Sequence, residues 1–479
     1  MYVLLVHPSV YLKDPHGGLH KFETPVPPPG LAYIAAVLEK NDVDVEIIDD
    51  NLVKTGVDGI LEKIKNKSPD IVGITCLTPA APTVYEIAKK IKEYSSRIVV
   101  VLGNIHANVF VESILREGVA DIVVHGEGEY TMLEIAKSIE ENKSLERVKG
   151  ISFLENGRVI CTPRRPFIEN LDELPYPAWH LFPPLKKYKP VPFGAIENPA
   201  LPIVGSRGCP YGCAFCSLSH MGKEYRTRSV KNVVSEIEYL ISRFGVKQLI
   251  FVDEIFPMHK KYGVEFCDEM ISRGLNKKIV WITNTRVDLV DRELLQKMKE
   301  AGCRRIIYGF ESGVQMLLDN VKKGFTLEDS RRAMKYTKEA DIESVGLFML
   351  GLPGETKELS QQTINFAKEL DVDFAKFPLT LPYPGSELYE TLLKEGKPRT
   401  DDWGGFTTYP SISNLVWIPD GMSGEELIEM QRKGMYDFYM RPKIIFRHLF
   451  KIRTTGISDL FYGAFILLSD RIKSAIRFK

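Results

Sequence analysis

The chain has little of what marks secreted, membrane-spanning or nucleic-acid-binding proteins. It holds 7 cysteines in 479 residues, too few for a disulfide scaffold and in keeping with a reducing compartment. It has no excess of charge: Lys+Arg and Asp+Glu each number 63, whereas a general nucleic-acid binder shows a basic balance. Long hydrophobic runs are missing. The longest, Leu460–Leu468, falls well short of the roughly 20 residues that a bilayer-spanning helix needs. Residues 1–6 carry no charged n-region, so no signal peptide is read and a cytoplasmic location is expected.

What cysteine there is, is concentrated. Cys209, Cys213 and Cys216 fall within eight positions, after an apolar strand (Leu201–Val204) and ahead of an amphipathic helix (Val230–Phe244). Clustered thiolates suit a soft metal or an iron–sulfur cluster. A structural site is closed by four ligands, and three thiolates leave one position open. Two readings follow: a zinc site completed by His220, or a [4Fe–4S] cluster with one iron free for a small molecule.

Residues 1–145 alternate strand and helix signals. Strands are expected at Tyr2–Val6, Asp44–Ile48, Ile71–Thr75, Ile98–Leu102 and Ile122–Val124, with helices at Leu31–Glu39, Val57–Asn66, Thr83–Tyr94, Val109–Arg116 and Tyr130–Glu140. That alternation indicates a parallel, doubly wound, flavodoxin-like sheet. Ligands of such sheets sit beyond the carboxyl ends of the strands, here the loops His7–Gly30, Asp49–Gly56, Cys76–Pro82, Gly103–Asn108 and His125–Glu129. Pro25 and Pro27–Pro29 stiffen the first loop.

Residues 146–200 read as a linker or strap. A hairpin (Val148–Leu154 and Arg158–Cys161 about Asn156-Gly157) precedes a proline-dense stretch with aromatic Tyr176, Trp179 and Phe182. Residues 201–400 show six more strand–helix units, with strands at Leu201–Val204, Gln248–Val252, Ile279–Ile282, Arg305–Phe310, Ser344–Leu350 and Phe374–Leu379. Six units predict an open partial β/α barrel with its site at the carboxyl ends of the strands, where the cysteine loop falls. Polar residues cluster at those ends: Asp253-Glu254, Asn284 to Arg286, Glu311-Ser312 and the Gly351–Glu355 turn.

Residues 401–479 form a helical extension, with a helix start at Ser423 to Glu426. From Arg441 onward, nine Lys/Arg face two Asp. Such a stretch forms either a helical cap with a solvated basic face or a peripheral membrane contact.

The cysteine spacing, with Phe215 before the last cysteine, resembles the radical S-adenosylmethionine superfamily. The first domain, through residues 27–35, the Gly103–His106 loop and the Gly126–Glu129 turn, resembles the cobalamin-binding domain fused to such enzymes. The resemblance implies a [4Fe–4S] cluster on Cys209, Cys213 and Cys216. It implies S-adenosylmethionine contacts from Glu254, Asn284, Arg286, Glu311, Gly351 and Gly354, and cobalamin contacts from Gly103, His106, Gly126 and Glu127. Glu254 and Arg286 have the alternative of a salt bridge inside the barrel mouth. His16, in a near match to a cobalt-ligand motif, lacks the glycine that motif needs, because Leu19 stands there. A nucleotide- or flavin-type first domain is the other reading.

The implied activity is a 5′-deoxyadenosyl radical acting on an unactivated carbon, methylated through methylcobalamin. Cyclisation, rearrangement or oxidation on the same scaffold is the alternative, with a lipid, isoprenoid or tetrapyrrole-like substrate. An electron donor such as flavodoxin or ferredoxin would be required. A transfer-RNA methylthiotransferase is disfavoured, because only Cys76 and Cys161 precede the barrel. A non-enzymatic sensor is disfavoured by the polar strand ends.

Overall fold

The computed structural model describes residues 1–9, 26–188, 196–217, 222–397 and 402–450. Short, β-branched, buried segments form its first sheet: β1 (Tyr2–His7), β2 (Asp44–Asp49), β3 (Ile71–Thr75), β4 (Val99–Gly103) and β5 (Ile122–Val124). The first five strands are parallel in the order β2-β1-β3-β4-β5. This is the flavodoxin-like order, with its switch point between β1 and β3. The expected hairpin does not stay in the linker. Its strand β6 (Ile151–Glu155) adds antiparallel to β5 and β7 (Arg158–Cys161) antiparallel to β6, making seven strands in all. The sheet therefore runs past residue 145. Asn156 and Gly157 both have positive φ, at 51° and 74°, as a type I′ turn requires. The helix expected over Val109–Arg116 is two shorter ones, Ile105–Val109 and Val111–Arg116.

The second sheet contains β8 (Ala200–Ile203), β11 (Gln248–Phe251), β12 (Val280–Thr285), β13 (Cys303–Glu311), β14 (Glu343–Phe348) and β15 (Phe374–Lys376). All neighbours are parallel and lie in chain order. The sheet ends at β8 on one side and β15 on the other, so the barrel is open. Between β8 and β11, the two-residue strands β9 (Ser206–Arg207) and β10 (Arg226–Thr227) pair antiparallel and pinch off the cysteine loop. The following helix, Val230–Phe244, begins where Ser229 Oγ accepts from Asn232 N at 3.2 Å. It buries Val233, Val234, Ile237 and Leu240, the apolar stripe of its 3.6-residue period.

Two segments fasten the domains together. Trp179, 1% exposed, lies in the barrel's hydrophobic core beside Phe182, Leu185 and Tyr188, and Ala178 N donates to Ala32 O at 3.1 Å. On the other side Trp403 packs edge-on to His106 at 5.2 Å and against Phe110 at 4.8 Å. The helix at Gly424–Tyr439 opens with the expected capping box between Ser423 and Glu426. Among the described residues, no helix is long and apolar enough to cross a membrane.

Replacing Trp179 by alanine should cost about 3–5 kcal/mol of stability, read as a lowered thermal midpoint. Its indole Nε1 has no hydrogen-bond partner, so Trp179→Phe should lose far less. Equal losses would show that packing is not what Trp179 contributes.

Candidate active site

The cysteine loop leaves the carboxyl end of β8 through a turn that only glycine fits. Gly208 has φ 85°, and a Cβ there would lie 2.1 Å from Glu224 O. Just upstream, the buried Asp253 carboxylate accepts from Gly205 N at 3.0 and 3.1 Å and from Ser206 Oγ. Burial pushes its pKa up to about 7. Downstream, Ala214 N donates to Val321 O at 3.0 Å, and Leu388 N to Ala214 O at 2.8 Å. Phe215 wedges between Leu317, Val321 and Leu352 on one side and Leu388, Leu392 and Trp417 on the other.

Cys209, Cys213 and Cys216, all half-buried, face one cavity of about 400 Å³. Three thiols from one loop, lining one cavity with room beside them, fit an iron–sulfur cluster that keeps one iron open. His220, the alternative fourth ligand, lies outside the described residues.

The rest of the cavity wall comes from neighbouring strand ends: Glu254, Asn284, Arg286 and Glu311 all line it, as expected. Burial raises the Glu254 pKa. Arg286 does not pair with Glu254. Its guanidinium is taken by Asp288 (2.9 and 3.0 Å) and Lys323 O (2.8 Å), and it lies 3.6 Å from the ring centre of Tyr211 in the cysteine loop. Glu311 has φ 59° and meets Lys323 Nζ at 2.7 Å, both side chains being buried. Gly309 makes room for that pair, since a Cβ there would lie 2.4 Å from Glu311 Oε1. Lys323 was missed in the sequence. Its only signal there is the Lys322-Lys323-Gly324 run, which reads as a solvated turn. Gly351 and Gly354 are not in this wall: a Cβ on Gly351 would meet Leu427, and one on Gly354 would meet Asn320.

A second cavity, of about 370 Å³, lies over the carboxyl ends of β1, β3, β4 and β5. Gly73, Gly103, Gly126 and Gly128 form part of its surface, with Pro28–Leu31 and Tyr33 as another wall. Of these, Gly103 and Gly126 face open space, where backbone without a side chain admits a flat ring such as a corrin closely. Gly103, Gly126 and Glu127 are there as expected; Asn104, beside them, was not singled out. His106 is not. It is fully buried behind the loop, 3.1 Å from Tyr85 Oη and 3.4 Å from Thr78 Oγ1. Burial holds it uncharged, its pKa down to about 4. His16 lies outside the described residues.

The two cavities adjoin. Glu254 stands in the walls of both, and Val204, Ser206, Arg207 and Val252 of the barrel help line the second. A buried ionic network fixes this junction. Arg207 meets Glu127 at 2.8 Å and Glu129 at 2.6 Å, and Arg226 meets Glu127 at 3.1 Å. Glu127 also accepts from Ile168 N at 2.7 Å. Its carboxylate is thus committed to joining the loop after β5 to the hairpin that closes the cysteine loop.

Fold and site together define a two-domain protein in which a flavodoxin-like corrin platform faces the mouth of a partial barrel bearing a three-cysteine loop. Comparison with known proteins agrees. Residues 203–367 match the Radical SAM superfamily and residues 15–136 the B12 binding domain. An uncharacterised methyltransferase of Pyrococcus horikoshii, PH0819, is 36% identical over 429 residues, covering 89% of this chain and 90% of that protein. The anaerobic magnesium-protoporphyrin IX monomethyl ester cyclase of Rubrivivax gelatinosus is 33% identical over 93% of this chain and 78% of its own length. The solved structure of the radical S-adenosylmethionine methyltransferase TsrM from Kitasatospora setae, with tryptophan and a SAM analogue bound, superimposes with a TM-score of 0.69. It is 19% identical, over 92% of this chain and 90% of that one, a likeness of fold. The chain belongs to the cobalamin-binding radical S-adenosylmethionine enzyme family.

Arg207→Met leaves Glu129 buried without its cation and should cost about 3–5 kcal/mol. The double variant Arg207→Met/Glu129→Leu should recover much of that in the same thermal melt. Asp253 gives a pH signature. Its folded pKa lies above its unfolded value of 3.8, so the folded state binds the proton more tightly. Its contribution to stability is full below about pH 4 and is lost as the pH rises towards 7. Asp253→Asn should flatten that part of the stability–pH curve; an unchanged slope would mean that the carboxylate is already ionised below pH 4.

Proposed function

We propose that this enzyme methylates an unactivated carbon of a small-molecule substrate, using a [4Fe–4S] cluster, S-adenosylmethionine and cobalamin. The observation that supports this best is the junction at Glu254, where the cysteine-lined cavity and the glycine-floored cavity share a wall. When bound, the cluster with S-adenosylmethionine supplies hydrogen abstraction from carbon, and methylcobalamin supplies the methyl group.

The chain's own residues position and shield. Cys209, Cys213 and Cys216 would hold three corners of the cluster and leave the fourth open. Glu254 offers an acceptor whose proton affinity burial has raised, suited to an ammonium group. Asn284 offers both donor and acceptor to hydroxyls or a carboxylate. In the Glu311–Lys323 pair, the carboxylate would accept from ribose hydroxyls while the ammonium holds it in place. Arg286, held by Asp288 and pressed on Tyr211, braces the cysteine loop and offers its remaining face to an anion. Ile255, Ile307, Val345 and Leu347 keep water from the reacting carbon. Gly103 and Gly126 let a corrin rest on backbone; Glu127 organises that wall from behind, through Arg207 and Arg226. Gly351 and Gly354 would act through the shape of their turn.

An external one-electron donor of the flavodoxin or ferredoxin type, a cytoplasmic setting and peripheral membrane contact through the basic C-terminal stretch complete this reading. A nucleic-acid substrate does not suit a chain with no net charge.

The test is anaerobic reconstitution with iron, sulfide and cobalamin, followed by reduction in the presence of S-adenosylmethionine. Formation of both 5′-deoxyadenosine and S-adenosylhomocysteine is expected. 5′-Deoxyadenosine alone would move the assignment to cyclisation, rearrangement or oxidation. Cys213→Ala should lose the cluster's visible absorption and all cleavage; cleavage by that variant would overturn the cysteine assignment.

A further inference from the structure

The helix Pro442–Phe450 is apolar on two faces, and only one of them is covered by the described residues. Its inner face is locked to the barrel. Ile444 and His448 are 1% and 4% exposed, the His448 ring meets Phe374 edge-on at 4.7 Å, and Arg447 pairs with Asp371 at 2.8 Å and Asp373 at 3.2 Å. Lys443 also meets Asp371, at 2.7 Å. The outer face carries Ile445, Phe446, Leu449 and Phe450, which are 39%, 64%, 46% and 77% exposed. The i, i+1, i+4, i+5 spacing makes them one stripe, and the Phe446 and Phe450 rings stack at 5.8 Å.

Single exposed hydrophobics are ordinary, whereas a contiguous patch marks a contact surface. Among the described residues, twelve large hydrophobics are exposed; eight are scattered through the chain and four make this stripe. Its sequence context selects the partner. Residues 451–479, directly after the helix, hold six Lys/Arg against two Asp, with Leu460, Phe461, Phe465 and Leu468 among them. In a chain with no net charge, a basic and apolar sequence following an apolar stripe matches an anionic lipid surface.

We propose that the outer face of helix 442–450 docks this enzyme peripherally on anionic phospholipid bilayers. The helix packs on Asp371 and Asp373, in the turn that enters β15, so it sits at the amino ends of the barrel strands. The cysteine loop and both cavities are at the carboxyl ends. Docking thus tethers the base of the barrel and leaves the mouth turned from the lipid, open to a substrate and an electron donor arriving from water. The surface is distinct from the active site and independent of the proposed chemistry.

The full-length, cobalamin-loaded protein is tested by co-sedimentation with vesicles of phosphatidylcholine alone or with 30% phosphatidylglycerol. Binding to the anionic vesicles only, weakened by 0.5 M NaCl, is expected. Phe446→Ser/Phe450→Ser should lower partitioning at least about tenfold while bound cobalamin, read by its visible spectrum, stays unchanged. No binding to anionic vesicles, or equal binding by the double variant, would overturn the proposal. So would a dimer in light scattering that the substitutions dissolve, since the stripe would then be a contact between copies.

Discussion

The structure depends on a set of charges buried between two domains. Glu127 and Glu129 leave the loop after β5; Arg207 and Arg226 leave the two strands that close the cysteine loop. Any of these ions alone would be costly away from water, and together they satisfy one another with good geometry. The cost of breaking the set is what gives it specificity: the floor of the second cavity and the neck of the cysteine loop are held in one relative position. The guanidinium of Arg207 also lies over Tyr33, 5.2 Å from the ring centre, so the proline-rimmed helix of the first domain joins the same junction.

Around that junction the architecture is simple. Two parallel sheets present their carboxyl edges to each other, the common place for ligands in such folds. Trp179 on one side and Trp403 on the other keep the edges facing. The site is made rigid by backbone fit more than by side-chain bulk. Gly208 and Gly309 each occupy a place where a methyl group would strike a backbone or carboxylate oxygen, and Asp253 pins Gly205 and Ser206 at the entry to the cysteine loop. The opposite pole of the barrel carries a different surface, apolar and followed by basic chain, separated from the chemistry by the whole length of the strands.

Element boundaries were largely legible from the chain, because β-branched strands and amphipathic helices differ in period. Five expected strands of the first domain and all six of the second were found within a few residues of their places, except that the last, Phe374–Lys376, is shorter than its apolar run. The hairpin at 151–161 was legible as a hairpin but not as part of the first sheet, since its pairing with β5 and its packing on Ile122 and Val124 are made across a 26-residue separation. His106 was expected beside the corrin because it follows a strand-end glycine; packing against Tyr85, Phe110 and Trp403, the last nearly 300 positions away, puts it behind the loop instead.

The sequence by itself determined the two β/α domains, the three-cysteine loop and the polar strand ends around it, because these are local patterns of period, spacing and residue type. Only the tertiary structure decided what each charge does. Arg286, which lines the cavity as the strand-end pattern suggests, gained a second part as a brace because Asp288 and Tyr211 are within reach. Glu127 became a link because two arginines from the barrel converge on it, and Lys323 joined the site because a backbone bend at Glu311 brings the two together. Charges choose their partners by distance in space, and distance in the chain carries almost none of that information.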